Sequence, residues 1–268
     1  MPRPRRSSSP GAFLGRNTSL LHSPPMVRTA AALIIGNELL TGKIQEGNLR
    51  VLAQALRSLG IVLRRASIVL DEVDTIAEEV RHLSSSHDVV FTSGGVGPTH
   101  DDVTVEAVAK AFGVPVVQSE PIAAMLRAHF GERCTEGHLR MALVPEGAEL
   151  VRNSEIPWPC VVMRNVWLLP GVPEAFRAKM PLLRERLDGG RPFVTRSVYT
   201  KMDEGELKPI LDRVVEAHPS VEVGSYPKWR DPAYKTKLTF DGQDGQAVEK
   251  AMRDFLDALP SGEPQWVE

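Results

Sequence analysis

Residues 29–92 alternate between short continuous apolar runs and stretches with apolar side chains at helical spacing, and that rhythm restricts the fold more than any other feature. Thr29 to Ile35 is small or branched throughout, as a strand buried on both faces requires, and Gly36-Asn37-Glu38 ends it. Asn48 to Leu59 then sets Leu49, Leu52, Ala53, Leu56 and Leu59 on one helical face, with Gly60 as its stop. Ile61 to Leu70 predicts a second strand, Asp74 to Leu83 a helix with Ile76, Val80 and Leu83 inward, and Asp88 to Thr92 a third strand. A βαβαβ order implies right-handed crossovers and an α/β fold, its mainly parallel sheet covered by helices on both faces. Ligands of such sheets collect at the carboxyl edge of the strands. That edge would bring together Glu38, Asp71 and the segment after strand three.

That segment reads Thr92-Ser93-Gly94-Gly95-Val96-Gly97-Pro98-Thr99-His100-Asp101-Asp102-Val103-Thr104 and enters a helix predicted over Val103 to Phe112. Gly94, Gly95 and Gly97 lack the Cβ that would keep backbone N–H groups away from an anion, and the helix start adds partial positive charge. Asp101 and Asp102 would repel a bare phosphate, so their presence points to a divalent cation between the acids and phosphate oxygens. A plainer reading stands beside it, in which the glycines make a turn and one acid caps the helix. Asp71 has the same two readings, ligand or ordinary loop acid. His100 is the residue type of a general base but reads as an exposed loop residue, and His129 and His138 lack a third ligand at metal spacing. Tyr226 and Trp229 would either stack on a planar ring or pack between subdomains.

Of the 268 residues, 42% are hydrophobic, enough for one large or two modest cores. No apolar run approaches the roughly 18 residues of a membrane span, so no membrane partner is expected. Residues 1–28 carry five arginines and no acid, which leaves 27 of the 32 basic residues against all 34 acids, a formal charge of −7 for the remainder. Such a balance disfavours general nucleic-acid binding, which draws its affinity from concentrated basic surface. Cys134 and Cys160 form neither a disulfide framework nor a zinc motif, in keeping with a reducing cytoplasm. The Arg-, Ser- and Pro-rich first 28 residues read as a disordered extension, with Met26 as an alternative initiator and a transit segment as the other reading of that composition.

Further along, Glu120 to Phe130 and His138 to Leu143 predict helices, and Val144-Pro145-Glu146-Gly147 a turn into 148–153. Cys160 to Met163 and Val166 to Leu169 predict a hairpin across Arg164-Asn165. Its exit, Pro170-Gly171-Val172-Pro173, leads into a helix from Glu174 to Leu187. Asp188-Gly189-Gly190-Arg191-Pro192 is a linker signal, which sets a main domain of 29–188 apart from a small α+β unit of 193–260. Within that unit, strands are expected at 194–201, 221–226 and 234–240, and helices at 203–217 and 244–259.

Four ordered motifs carry a resemblance: Ile34-Ile35-Gly36-Asn37-Glu38-Leu39-Leu40 with Asn48, the glycine-acid loop, Ala142-Leu143-Val144-Pro145-Glu146-Gly147-Ala148, and Leu169-Pro170-Gly171-Val172-Pro173. Together they resemble the MoaB/Mog-like, molybdopterin-binding-like domain of CinA-type competence/damage-inducible proteins and of eukaryotic FAD synthase. Gly224-Ser225-Tyr226-Pro227 is similar to the second subdomain of that branch. The resemblance covers about residues 29–260 and implies a three-layer MoaB/Mog fold. It also implies metal-dependent hydrolysis of a dinucleotide pyrophosphate such as ADP-ribose or FAD. The other readings are molybdopterin binding or adenylylation, and a non-catalytic nucleotide module. Carried onto this chain, Asp102, Asp71 and Asp101 become the catalytic candidates, with Asp102 and Asp71 on the metal. Gly36, Glu38, Asn48, Gly94, Gly95, Gly97, Pro98, Thr99, Thr104, Pro170 and Gly171 become phosphate or nucleotide contacts. Mg, Mn or Co would suit such donors, with a monovalent cation as a further option. A homo-oligomer is expected from the relatives. Asn37 departs from the usual Thr or Asp, and the amidase domain of many CinA proteins has no counterpart in this sequence.

Overall fold

The computed structural model describes residues 28–268; the expected N-terminal extension, apart from Arg28, lies outside them. Strand β1 (Thr29–Ile35) is an interior strand of a six-stranded sheet, where the alternation of its side chains separates two cores. Ala30, Ala32 and Ile34 face one of them, and Ala31, Leu33 and Ile35 the other. On the first face lie α2 (Asn48–Ser58), α7 (Pro173–Arg177) and α8 (Met180–Arg186), which contribute Leu52, Leu56, Phe176 and Leu183. The second is covered by α3 (Val73–Ser86) and α4 (Thr104–Phe112) through Ile76, Val80, Leu83 and Val108. The sheet order is β2-β1-β3-β8-β7-β6, with β2 at Val62–Val69, β3 at Val89–Ser93, β6 at Glu149–Val151, β7 at Cys160–Met163 and β8 at Val166–Leu169. β2, β1, β3 and β8 pair in parallel, while β7 and β6 continue antiparallel. The predicted α/β architecture is therefore the observed one.

Three local expectations differ from the structure. A single helix over 174–187 breaks into α7 and α8, because Pro181 has no N–H and its ring would collide with the carbonyl one turn back. The helix expected at 138–143 is α6, Glu136–Arg140, started by a capping box between Thr135 and His138. The turn expected over Val144 to Gly147 forms at Glu146-Gly147, but Val144 and Pro145 belong to strand β5 (Leu143–Pro145), paired with β4 (Val116–Gln118); strands this short leave too little alternation to detect. A four-residue helix α1 (Asn37–Leu40) also follows β1 directly, and α5 (Glu120–Phe130) lies where predicted.

The C-terminal sheet has the order β10-β11-β9-β12, formed by β9 (Val194–Thr200), β10 (Glu222–Pro227), β11 (Thr236–Gly242) and β12 (Trp266–Val267). Helices α9 (Glu204–Ala217) and α10 (Gly245–Asp257) pack their apolar faces on it through Leu207, Val214, Val248 and Phe255. β12 extends this unit past the expected limit of 260. The glycines of the linker signal answer to close packing as well as to turning. Gly189 N donates to Leu59 O at 3.0 Å, and a Cβ there would stand 2.5 Å from that same oxygen. Among the described residues no helix is long and apolar enough to cross a membrane.

The β7–β8 hairpin forms as predicted, and Asn165 ties its turn to the end of α3. Its Nδ2 donates to the carbonyls of Ser84 and His87, both at 3.0 Å, while its Oδ1 accepts from the Ser84 hydroxyl. Asn165→Ala strands the ends of α3 without these partners, at a cost of about 2 kcal/mol. The expected readout is a Tm lower by about 4–8 °C with ligand affinity unchanged, since Asn165 precedes β8 and the strand's other end faces the ligand cleft. Unchanged thermal unfolding would show that the three bonds do not contribute.

Candidate active site

The parallel strands deliver their carboxyl ends to one cleft of about 1260 Å³. Gly36, Glu38, Asn48, Asp71, Gly94, Gly95, Gly97, Pro98, Thr99, Asp101, Asp102, Pro170 and Gly171 all line it. Thr104 is the exception among the expected contacts. It is buried beneath the loop, where its Oγ1 donates to Gly94 O at 2.8 Å and its N–H to Gly95 O at 2.9 Å. A β-hydroxyl at the first turn of α4 thus fixes the glycine loop from below.

Steric necessity is clear at two glycines. Gly94 has φ 108°, and a Cβ would lie 2.2 Å from Ile35 O; Gly95 has φ 67°, and its Cβ would meet the Thr104 hydroxyl at 2.3 Å. Gly94 N donates to Leu169 O, so this amide belongs to the sheet and not to a ligand. Gly171 approaches Gly94 itself: its Cβ would stand 3.2 Å from Gly94 Cα. Gly171 thus packs against the loop's own backbone while Pro170 and Gly171 both line the cleft.

The acids divide into distinct environments. Asp102 turns both oxygens back into the loop, accepting from Gly97 N–H and Thr99 N–H at 2.7 Å each and from the Thr99 hydroxyl. Thr99 Oγ1 shares that one proton with Asp101, 2.6 Å away, and this hydrogen bond is the main cause holding the exposed Asp101 carboxyl below its ordinary pKa. Neither acid caps α4, whose N-cap Val103 has no side-chain bond. Asp71 is half-buried and its pKa is raised, first by burial and then by the charges of Glu38, Asp101 and Asp102; the Asn37 N–H opposes the rise. The four acids therefore share one electrostatic site.

Asn37 and Asp71 join the ends of β1 and β2 reciprocally. Asn37 N donates to Asp71 Oδ2 at 2.8 Å, and Asp71 N donates to Asn37 Oδ1 at 3.3 Å. The departure at Asn37 thereby keeps a side-chain oxygen that accepts from the facing strand. Asn48, the first residue of α2, is buried and donates to Ser93 Oγ at 3.0 Å and Gly171 O at 2.8 Å, tying three segments of the edge together. Its Oδ1 has no hydrogen-bond partner among the described residues.

Among the described residues no three His, Cys, Asp or Glu side chains assemble a metal site. The donors still fit a hard cation that arrives with its substrate, because such ions are commonly held by one or two carboxylates plus phosphate oxygens. Asp71 fits that role best, since Asn37 occupies one of its oxygens while both oxygens of Asp102 are engaged by the loop. His100 is exposed, as expected, beside Asp101. Tyr226 and Trp229 do not line the cleft, and Trp229 is 95% exposed, so it packs between no subdomains. Sequence reasoning missed Lys179 and Trp158, which do line the cleft. Their local sequence resembles a solvated helix end and a loop; only tertiary packing brings them there.

A model described as a probable molybdopterin binding domain matches residues 31–188, and one described as the middle domain of FAD synthase matches residues 192–267. A protein of Archaeoglobus fulgidus is 35% identical over 227 residues, covering 84% of this chain and 95% of that protein. A probable FAD synthase of Caenorhabditis elegans is 30% identical over 262 residues, covering 88% of this chain and 50% of its own, so the present chain spans about half of that relative. The crystal structure of CinA from Thermoplasma acidophilum, a protein described as of unknown function, aligns with a TM-score of 0.55 at 30% identity, over 59% of this chain and 97% of that one. With a mainly parallel three-layer domain, an antiparallel unit after it and matches to both, the chain belongs to the CinA-type MoaB/Mog, molybdopterin-binding-like domain family.

Proposed function

We propose that the cleft binds a pyrophosphate-linked dinucleotide and hydrolyses its phosphoanhydride with the help of a divalent metal ion. The observation that carries this reading is the placement of Asp71, Glu38, Asp101 and Asp102 around the glycine loop at one end of a cleft that continues past apolar walls. A phosphate-and-ring ligand matches both ends. When bound, Mg, Mn or Co would supply Lewis-acid neutralisation of the phosphoryl oxygens. Gly95 and Val96 carry the loop amides that have no acceptor among the described residues, so they are the donors for a phosphate oxygen. Asp71, with its raised pKa, is suited to orient a water molecule and take its proton as the oxygen attacks phosphorus, the bond from that phosphorus to the bridging oxygen breaking and the other phosphate leaving with the bridging oxygen and its electron pair. Asp102 organises the loop, and Asp101 remains exposed beside it to act through water. Glu38 lies folded over Gly36, at the side of the cleft, within reach of a sugar hydroxyl.

Pterin binding is the second reading, supported by the description of the family model over 31–188. The match of 192–267 to the FAD synthase middle domain favours a flavin- or adenine-bearing dinucleotide over it. The test is a turnover screen of ADP-ribose, FAD and related dinucleotides with Mg, Mn or Co, each with and without potassium, products being separated by chromatography. Release of AMP is the expected result. Tight pterin binding with no nucleotide turnover would favour the second reading, and ligand binding without any turnover a non-catalytic module.

A further inference from the structure

Beyond the acids, the cleft wall is formed by the irregular segment between β6 and β7. Glu155, Ile156, Pro157, Trp158 and Pro159 all line it. This strap is pinned at both ends. Asn153 Oδ1 accepts from the amides of Glu155 at 3.1 Å and Ile156 at 2.7 Å, while Lys179 Nζ donates to the carbonyls of Trp158 and Pro159. Lys179 is 6% exposed and sits at the junction of α7 and α8. Burial pushes its pKa below the ordinary lysine value, with the neighbouring Cys160 acting against that shift. An ammonium kept in such a place needs hydrogen-bond acceptors, and the strap carbonyls are the ones it has. Trp158, whose backbone these bonds hold, is 37% exposed and lines a cleft that also presents Met141 and Leu143.

Gly171 packs on Gly94 at the glycine-loop end of the cleft, and α7 carries the chain from there to Lys179 and the strap it holds. We propose that Trp158, its backbone held by the Lys179 ammonium, is the platform on which the planar heterocycle of the ligand lies, in the same cleft as the glycine loop. Lys179 is thus a positioning residue, and the class of ligand is a phosphorylated nucleoside, not a simple phosphate or sugar phosphate. This deepens the reading of the cleft as a pyrophosphate-dinucleotide site and rests on it.

Equilibrium titration of the full chain with AMP and with ribose 5-phosphate, both in the presence of Mg, tests the platform without requiring turnover. Wild type is expected to bind AMP more tightly than ribose 5-phosphate. Trp158→Ala is expected to weaken AMP by about 5- to 100-fold, the range for loss of a base–aromatic stack, and to leave ribose 5-phosphate unchanged. Lys179→Met should shift the balance the same way, and Trp158→Phe should restore much of the AMP preference. AMP affinity unchanged in Trp158→Ala, an equal loss for both ligands, or a wild type with no preference for AMP would overturn the platform. Failure of wild type to bind ribose 5-phosphate while AMP binding depends on Trp158 would instead count against the phosphate end.

Discussion

Gly94→Ala is expected to lower stability by about 2–4 kcal/mol and to abolish ligand binding. Two costs coincide at this position: a φ of 108° that L side chains rarely adopt, and a Cβ only 2.2 Å from Ile35 O. Neither neighbour can yield, because Ile35 ends a strand paired on both sides and Gly94 is tied to Leu169 across the sheet. Thermal unfolding should show a Tm lower by about 10 °C. Gly113→Ala separates the two costs, for it has φ 69° with open space around its Cβ, and about 1 kcal/mol is expected from the backbone alone. Equal losses at the two sites would mean that the clash with Ile35 is relieved and the loop is softer than its contacts indicate.

Asp71→Asn should reduce pyrophosphate turnover by about 10²- to 10⁴-fold while raising Tm by about 1–2 °C at pH 7. The opposite signs share one cause. Burial and the charges of Glu38, Asp101 and Asp102 raise the folded-state pKa of Asp71 above its ordinary 3.8, so ionising it costs more in the folded chain than in the unfolded one. That penalty is fully present above the folded pKa. It fades as pH falls through that value toward 3.8, where both states become protonated. The gain from Asn should therefore be largest at neutral pH and shrink on acidification, as thermal melts from pH 7 to pH 4 can establish. A variant with wild-type turnover would remove Asp71 from the chemistry, and one less stable at pH 7 would contradict the electrostatic account.

Most of the architecture can be read from residue patterns because the parallel strands β1, β3 and β8 are buried on both faces. Thr29 to Ile35 has no polar side to confuse with a surface strand, and Leu52, Leu56, Ile76 and Val80 repeat at helical spacing. The gathering of Glu38, Asp71 and the glycine loop follows from the strand order. Thr104 shows where such reading stops: a hydroxyl beside a glycine loop suits a ligand as well as a backbone carbonyl, and only burial selects the Gly94 oxygen. Lys179 fails for the reverse reason. Lysines at helix ends are ordinarily solvated, and its burial depends on the path of a strap some twenty residues earlier in the chain.

The carboxylate of Asp102 gives the glycine loop an anion of its own. For a phosphate, occupying the amides of Gly97 and Thr99 is an exchange and not an addition. A tethered group competes at an effective concentration well above that of most dissolved ions, so a lone phosphate offers little in return for displacing it. A ligand anchored elsewhere brings its own high local concentration and meets the carboxylate on equal terms. At the Gly97 and Thr99 amides, then, a loop built this way would favour a phosphate that comes attached to something larger over a free one.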